Sequence, residues 1–222
     1  MGTLSVDWVA SKKLAAKRAV ELGKPWVLDP VGCGATPVRT AACLDMLACR
    51  PTVVRGNASE VMALQAAAVA AAGGGGGGGP GPAGRVRGVD STAASTDAVE
   101  AARLLARQYG CVVAVSGAVD YVTDGSRLVA VRNGEELLTS VTAAGCSLTA
   151  LIAAFVAAAP GQALLATAHA FAVFGLAAQE GLRLAPRPGP GSLRVGLLDC
   201  LHLMDQATVA GGALVEELTP GS

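Results

Sequence analysis

Thr52-Val-Val-Arg-Gly-Asn-Ala-Ser-Glu60 decides the fold. Thr52–Val54 reads as a short buried strand that opens into a polar loop, and an Ala-rich helix follows to about Ala72. The same unit recurs on both sides. Upstream, Pro25-Trp-Val-Leu-Asp29 is a strand running into Asp29-Pro-Val-Gly-Cys-Gly34, followed by a helix from Pro37 to about Cys49. Pro37 suits the first turn of that helix. Downstream, a helix over Asp97–Gln108 precedes a buried strand over Cys111–Ser116. Strands alternating with helices predict an α/β fold with a mostly parallel central sheet and helices on both faces.

The rest of the pattern fits the same frame. Ser11–Leu22 reads as a helix stopped by Gly23. Asp124-Gly125 lies between Asp120–Thr123 and Arg127–Arg132 and signals a hairpin, and Asn133-Gly134 marks a second turn. From Gly145 onward three helices are expected: Gly145–Ala159, Gln162–Gly181, and Ser192 to about Ala210. Seven glycines at 73–79, then Pro80, Gly81 and Pro82, form a low-complexity insert at 73–84 within one domain spanning residues 1–222.

Composition narrows the function classes. Apolar residues make up 52% of the 222 and aromatics 3%, so Ala, Val and Leu must fill the core. Seventeen basic residues balance seventeen acidic ones, which gives no net field to attract nucleic acid or an anionic membrane. The six cysteines form no C-x-x-C pair, and reduced thiols in a cytoplasm-like compartment are expected. The apolar run Leu148–Ala159 is about half of the ~20 residues a membrane span needs, and Pro160-Gly161 ends it. Two buried core helices joined by a turn are expected there, with no membrane.

Ligands of such sheets bind beyond the carboxyl ends of strands, and three polar clusters fall there. Thr142-Ala-Ala-Gly-Cys146 runs directly into an apolar helix, so the amides near Gly145 face outward as an anion site. Arg55-Gly-Asn57-x-x-Glu60 offers a guanidinium, an amide and a carboxylate. Asp29 adds a second carboxylate. Each cluster also has a structural alternative: a tight helix start with a buried thiol, a surface ion pair with a capping group, and a turn cap. Together they supply what phosphoryl transfer requires, and no G-x-x-x-x-G-K-[ST] loop is present. His169 and His202 sit in apolar helical stretches and are expected to be structural.

These motifs, with Lys24-Pro-Trp-Val-Leu-Asp-Pro-Val-Gly-Cys-Gly-Ala-Thr36, Gly88-Val-Asp-Ser91 and Val113-Ala-Val-Ser-Gly-Ala-Val-Asp-Tyr-Val-Thr-Asp-Gly125, appear in a familiar order. The chain resembles the hydroxyethylthiazole kinases of thiamin salvage, in the ribokinase-like superfamily. The resemblance implies a three-layer ribokinase-like fold. It implies an ATP- and Mg²⁺-dependent kinase that phosphorylates the hydroxyl of 4-methyl-5-(2-hydroxyethyl)thiazole, in a homotrimer. Residue by residue, it implies that Arg55, Asn57, Ser116 and Gly145 bind nucleotide and that Asp29 and Glu60 lie near Mg²⁺. It also implies that Ala143 lines the substrate and that Cys146 occupies the catalytic-base position. Helix N-termini favour thiolates, which suits a proton acceptor.

Three departures from the family pattern stand out. Ala143 replaces a usual Gly, Ser116 replaces a usual Thr, and the family's first strands, with a substrate-contacting Met, are expected ahead of Met1. A plastid address would precede Met1 as well. A catalytically impaired fragment that assembles with full-length subunits, and another ribokinase-like kinase such as the pyrimidine kinase of the same pathway, are the alternatives.

Overall fold

The computed structural model describes residues 1–2, 4–73 and 91–219. From residue 74 onward the glycine-rich insert lies outside the described residues, as does Gly88-Val-Asp90 of the motif set. The contacts divide the chain into two units, Met1–Gly117 with Thr123–Ser126, and Ala118–Val122 with Arg127–Ser222.

In the first unit, α1 (Val6–Glu21) starts earlier than expected because the Ser5 hydroxyl accepts the Trp8 amide at 3.2 Å and caps the helix. Strand β1 is only Val27–Leu28. Pro25 and Pro30 on either side have no N–H to give a ladder, which shortens the expected 25–29 strand. Thr36 caps α2 (Pro37–Leu47), with Pro37 in its first turn as expected. Strand β2 (Val53–Asn57) passes directly into α3 (Ala58–Ala72), while α4 (Ser91–Tyr109) leads into β3 (Val112–Ser116).

The three strands are parallel. Leu28 sits beside Val54, Arg55 beside Ala114, and Asn57 beside Ser116. Leu28, Val54 and Val113 are buried between the helices, against Leu64, Ala68, Ala98, Ala102 and Leu105. Alanines on the inner faces of α3 and α4 let those helices approach closely, as the ring-poor composition requires.

In the second unit, which holds β4 (Asp120–Thr123) up to Val122, β4 neighbours β5 (Leu128–Val131), so the strands expected around Asp124-Gly125 are present. A short 3₁₀ turn, Glu136–Ser140, precedes α5 (Ala144–Ala158). Pro160-Gly161 then turns the chain into α6 (Ala163–Arg183), followed by α7 (Pro190–Leu203). The single last helix expected at 192–210 is broken instead. Asp205 caps a separate α8 (Gln206–Gly212), its carboxylate accepting the Thr208 amide at 2.8 Å.

The chain then forms an unforeseen strand, β6 (Val215–Leu218), antiparallel to β5. Arg127 forks onto the Glu217 carboxylate at 2.8 and 2.9 Å and helps to hold that edge. Asn133 does not make a simple turn. Its buried side chain accepts the Leu214 amide at 2.6 Å and donates to the Gly212 carbonyl and Gln179, so it fixes where β6 begins.

Helix α6 has the length and hydropathy of a membrane span, but 67% of its apolar window is buried inside the protein. Phe171, Phe174 and Leu176 point into the core. Packing against α7 is closest where Gly181 faces Gly196: a Cβ on Gly181 would meet the Gly196 carbonyl carbon at 2.6 Å. Only hydrogen fits on either side of this crossing.

Candidate active site

The carboxyl ends of β1, β2 and β3 bring Asp29, Arg55 and Ser116 together. Register explains why. Leu28 pairs with Val54, so Asp29 emerges beside Arg55; Asn57 pairs with Ser116, so the Ser116 hydroxyl faces back toward the Arg55 strand. One Arg55 Nη lies 3.8 Å from an Asp29 carboxylate oxygen, and the other donates to Ser116 Oγ at 3.0 Å. Ser116 Oγ in turn donates to the Gly56 carbonyl at 3.2 Å. Arg55 and Asp29 are 13% and 11% exposed at the side chain, so the pair is held in a largely desolvated place. Arg55 Nε is buried and has no hydrogen-bond acceptor among the described residues. A guanidinium anchored at both Nη ends is pre-oriented, and little rotamer entropy is left to lose when it meets an anion.

Asn57 and Glu60 close the start of α3. Asn57 Oδ1 accepts the Glu60 amide at 2.9 Å, and Glu60 Oε2 accepts the Asn57 amide at 3.0 Å, a reciprocal capping box. Ser59 Oγ also donates to Asn57 Oδ1, at 2.7 Å. Glu60 reaches further: its Oε1 accepts the Gly32 amide at 2.9 Å and ties the loop after β1 to the start of α3.

Three loop contacts were not anticipated. Arg39, in the first turn of α2, donates to the Val31 carbonyl at 3.1 Å. It lies across Gly32, whose positive φ of 69° and missing side chain make room for it. Thr40 Oγ1 accepts the Gly34 amide at 3.0 Å. The signal for these was present only as two glycines spaced around Cys33 ahead of a Thr-Pro helix start.

The remaining expected residues belong to the second unit. Ala143 is the residue before α5 and adopts the left-handed conformation, φ 68° and ψ 7°, with no side chain to cap the helix. Its carbonyl accepts the Ser147 amide at 2.9 Å and the Ser147 hydroxyl at 3.1 Å. The Ala144 amide turns back to Val141 at 3.2 Å. Gly145 and Cys146 hold the next two positions, whose amides have no intrahelical acceptor. Cys146 is exposed, not the buried structural thiol of the alternative reading. All six cysteines are free.

A model of the hydroxyethylthiazole kinase family matches residues 1–207. The chain belongs to that family. A hydroxyethylthiazole kinase of Arabidopsis thaliana is 46% identical over 209 residues, which make up 94% of this chain and 70% of the relative. The solved hydroxyethylthiazole kinase of Pyrococcus horikoshii OT3 superposes with a TM-score of 0.81 at 38% identity, covering 98% of this chain and 75% of that one. A Staphylococcus aureus pyridoxal kinase, solved with AMP-PCP and pyridoxal, superposes with a TM-score of 0.54 at 19% identity over 93% of this chain and 68% of its own. That last likeness concerns the fold alone, which is the ribokinase-like α/β fold expected. Membership of the hydroxyethylthiazole kinase family makes the chain a kinase by descent, and the strand-end geometry is its own.

Proposed function

We propose that the chain transfers the γ-phosphoryl group of ATP to the hydroxyl of 4-methyl-5-(2-hydroxyethyl)thiazole and releases ADP and the thiazole phosphate. The observation that carries this reading is the Arg55 guanidinium, anchored by Asp29 and Ser116 at the carboxyl ends of three parallel strands. Phosphoryl transfer asks mainly for positioning and charge stabilisation, and such a clamp supplies both.

In this reading Arg55 holds phosphate oxygens, Ser116 fixes the guanidinium and contacts nucleotide, and Asn57 shapes the same strand end. The Gly145 and Cys146 amides receive charge on the transferred phosphoryl oxygens, and Gly145 lets them approach. Cys146 takes the proton as the thiazole hydroxyl oxygen bonds to phosphorus and the bond to the ADP oxygen breaks. Ala143, with a Cβ where the family usually has none, borders the thiazole.

Asp29 and Glu60 suit Mg²⁺ as hard oxygen donors. Each Glu60 oxygen accepts one amide and keeps a second lone pair. Among the described residues no group of three or more His, Cys, Asp or Glu is placed to hold a metal. Two carboxylates would leave an ion to be completed by phosphate oxygens, as is usual for Mg²⁺; when bound it would neutralise phosphate charge. A homotrimer acting on a small molecule in the cytoplasm or a plastid completes the proposal.

The test is direct. Purified protein with Mg-ATP and the thiazole alcohol should yield the thiazole monophosphate by mass spectrometry. Phosphorylation of the aminopyrimidine alcohol in preference to the thiazole, or of neither, would overturn the assignment.

A further inference from the structure

The peptide unit between Val31 and Gly32 is gripped at both ends. Its carbonyl accepts Arg39 Nη1 at 3.1 Å, and its amide donates to Glu60 Oε1 at 2.9 Å. A trans peptide is planar, with C=O and N–H pointing in opposite directions, so a hold on one end orients the other.

The same unit is the centre of a β-turn. The Cys33 amide donates to the Pro30 carbonyl at 2.9 Å and closes the turn. Gly32, in its third position, has the positive φ of 69° that a type II turn requires. Such a turn passes to type I by rotation of its central peptide, and glycine tolerates φ of either sign. The rotated unit would present its carbonyl, instead of its amide, to the Glu60 carboxylate. Glu60 would then lose one of its two amide partners and face a second acceptor.

Arg39 opposes that rotation. Its side chain lies flat on the turn: a Cβ on Gly32 would meet Arg39 Cδ at 3.2 Å and Nε at 3.5 Å. The guanidinium is itself held, because the same Nη1 donates to the Gly2 carbonyl at 3.0 Å. Thr36 Oγ1 accepts the Arg39 amide at 3.2 Å and fixes the backbone from which the side chain reaches. A charged donor holds a carbonyl more strongly than a neutral one.

From this geometry we infer that Arg39 is a positioning residue for the proposed reaction: it locks the Val31–Gly32 peptide in the orientation whose amide fixes the Glu60 carboxylate. Its functional consequence rests on reading Glu60 as a magnesium donor, since the outer partners of a ligating carboxylate tune metal affinity. Arg39 acts through one peptide and not on the reacting atoms.

Arg39→Met keeps most of the stem and removes the donors, whereas Arg39→Lys keeps a charged donor. Hydrogen exchange in the ligand-free proteins, read by NMR, should be at least about tenfold faster at the Gly32 amide in Arg39→Met than in wild type. The Gly34 amide, which Thr40 holds, should stay within about twofold, and Arg39→Lys should restore most of the Gly32 protection. Mn²⁺ binding to the ADP-saturated proteins, followed by electron paramagnetic resonance, should weaken by about tenfold in Arg39→Met, with the affinity for metal-free ADP within about twofold.

A Gly32 amide left unprotected in folded wild type overturns the inference with no variant at all, which covers a failure of Arg39→Met to fold. Unchanged Gly32 exchange in Arg39→Met, Gly32 and Gly34 accelerated alike, metal and ADP affinities falling together, or no recovery with Arg39→Lys would each overturn it as well. None of these readouts uses thiazole turnover. A wild type that phosphorylates nothing refutes the kinase reading, and exchange and Mn²⁺ binding still decide the role of Arg39.

Discussion

Arg55 donates to the Ser116 hydroxyl at 3.0 Å, across the parallel register that pairs Asn57 with Ser116. The hydroxyl passes the contact on to the Gly56 carbonyl at 3.2 Å. Ser116 thus orients the guanidinium from one side while Asp29 attracts it from the other. A Thr at this position would keep the same hydroxyl.

Ser116→Ala removes one anchor of a largely buried charged group. A hydrogen bond to a charged partner contributes about 1.5–3 kcal/mol. The expected outcome is a fall in kcat/KM for ATP of at least about tenfold, with Ser116→Thr near wild type. Steady-state kinetics at varied ATP would check it; equal losses in both variants would contradict the account.

Ala143 carries a positive φ of 68° that an L side chain rarely adopts. Ala143→Gly relieves strain worth about 1–2 kcal/mol but adds freedom to the unfolded chain worth roughly 0.5–1 kcal/mol. The variant should therefore melt higher by a few degrees, and Ala143→Val lower. Thermal denaturation followed by circular dichroism decides; a lower midpoint for the glycine variant would remove the strain.

Gly196→Ala places a Cβ 2.7 Å from the Gly181 carbonyl oxygen and 2.9 Å from its Cα. Backbone cannot yield as a side chain does, so α6 and α7 must separate. A cost of about 1–3 kcal/mol is expected. Gly191→Ala, on the same helix but with nothing within 4 Å, should be neutral or slightly stabilising. Urea midpoints of the two variants check the contrast.

Much of the site was legible because strand ends can be read from sequence. Arg55 and Asp29 each follow a buried apolar run and were read from those strand ends, whereas Ser116, at the end of the run at 112–115, was expected only from the family resemblance. What was missed lies in contacts made by groups that carry no residue identity. Glu60 bonds the backbone amide of Gly32, and any residue there would supply that amide. Strand β6 escaped because Glu216 and Glu217 face outward and find their partners, Arg132 and Arg127, only across the sheet edge. The end of α7 was blurred by Asp205, which reads as an ordinary polar residue until its carboxylate is seen capping Thr208.

Cys146 is exposed at the start of α5, where the proposed reading puts the proton acceptor. Cys146→Ala should lower kcat by about a hundredfold, the lower end of what a general base contributes, while ATP affinity by calorimetry stays within about twofold. Unchanged turnover would remove Cys146 from the mechanism.

The central claim is that Arg55, anchored by Asp29 and Ser116, clamps the phosphates of ATP for transfer to the thiazole alcohol. It is tested most directly by initial rates of thiazole phosphate formation across ATP concentrations, in wild type and in Arg55→Ala. The account predicts measurable turnover in the wild type and a kcat/KM for ATP reduced by about 10- to 150-fold in the variant, the equivalent of ~1.5–3 kcal/mol. Equal kcat/KM in the two proteins would contradict it.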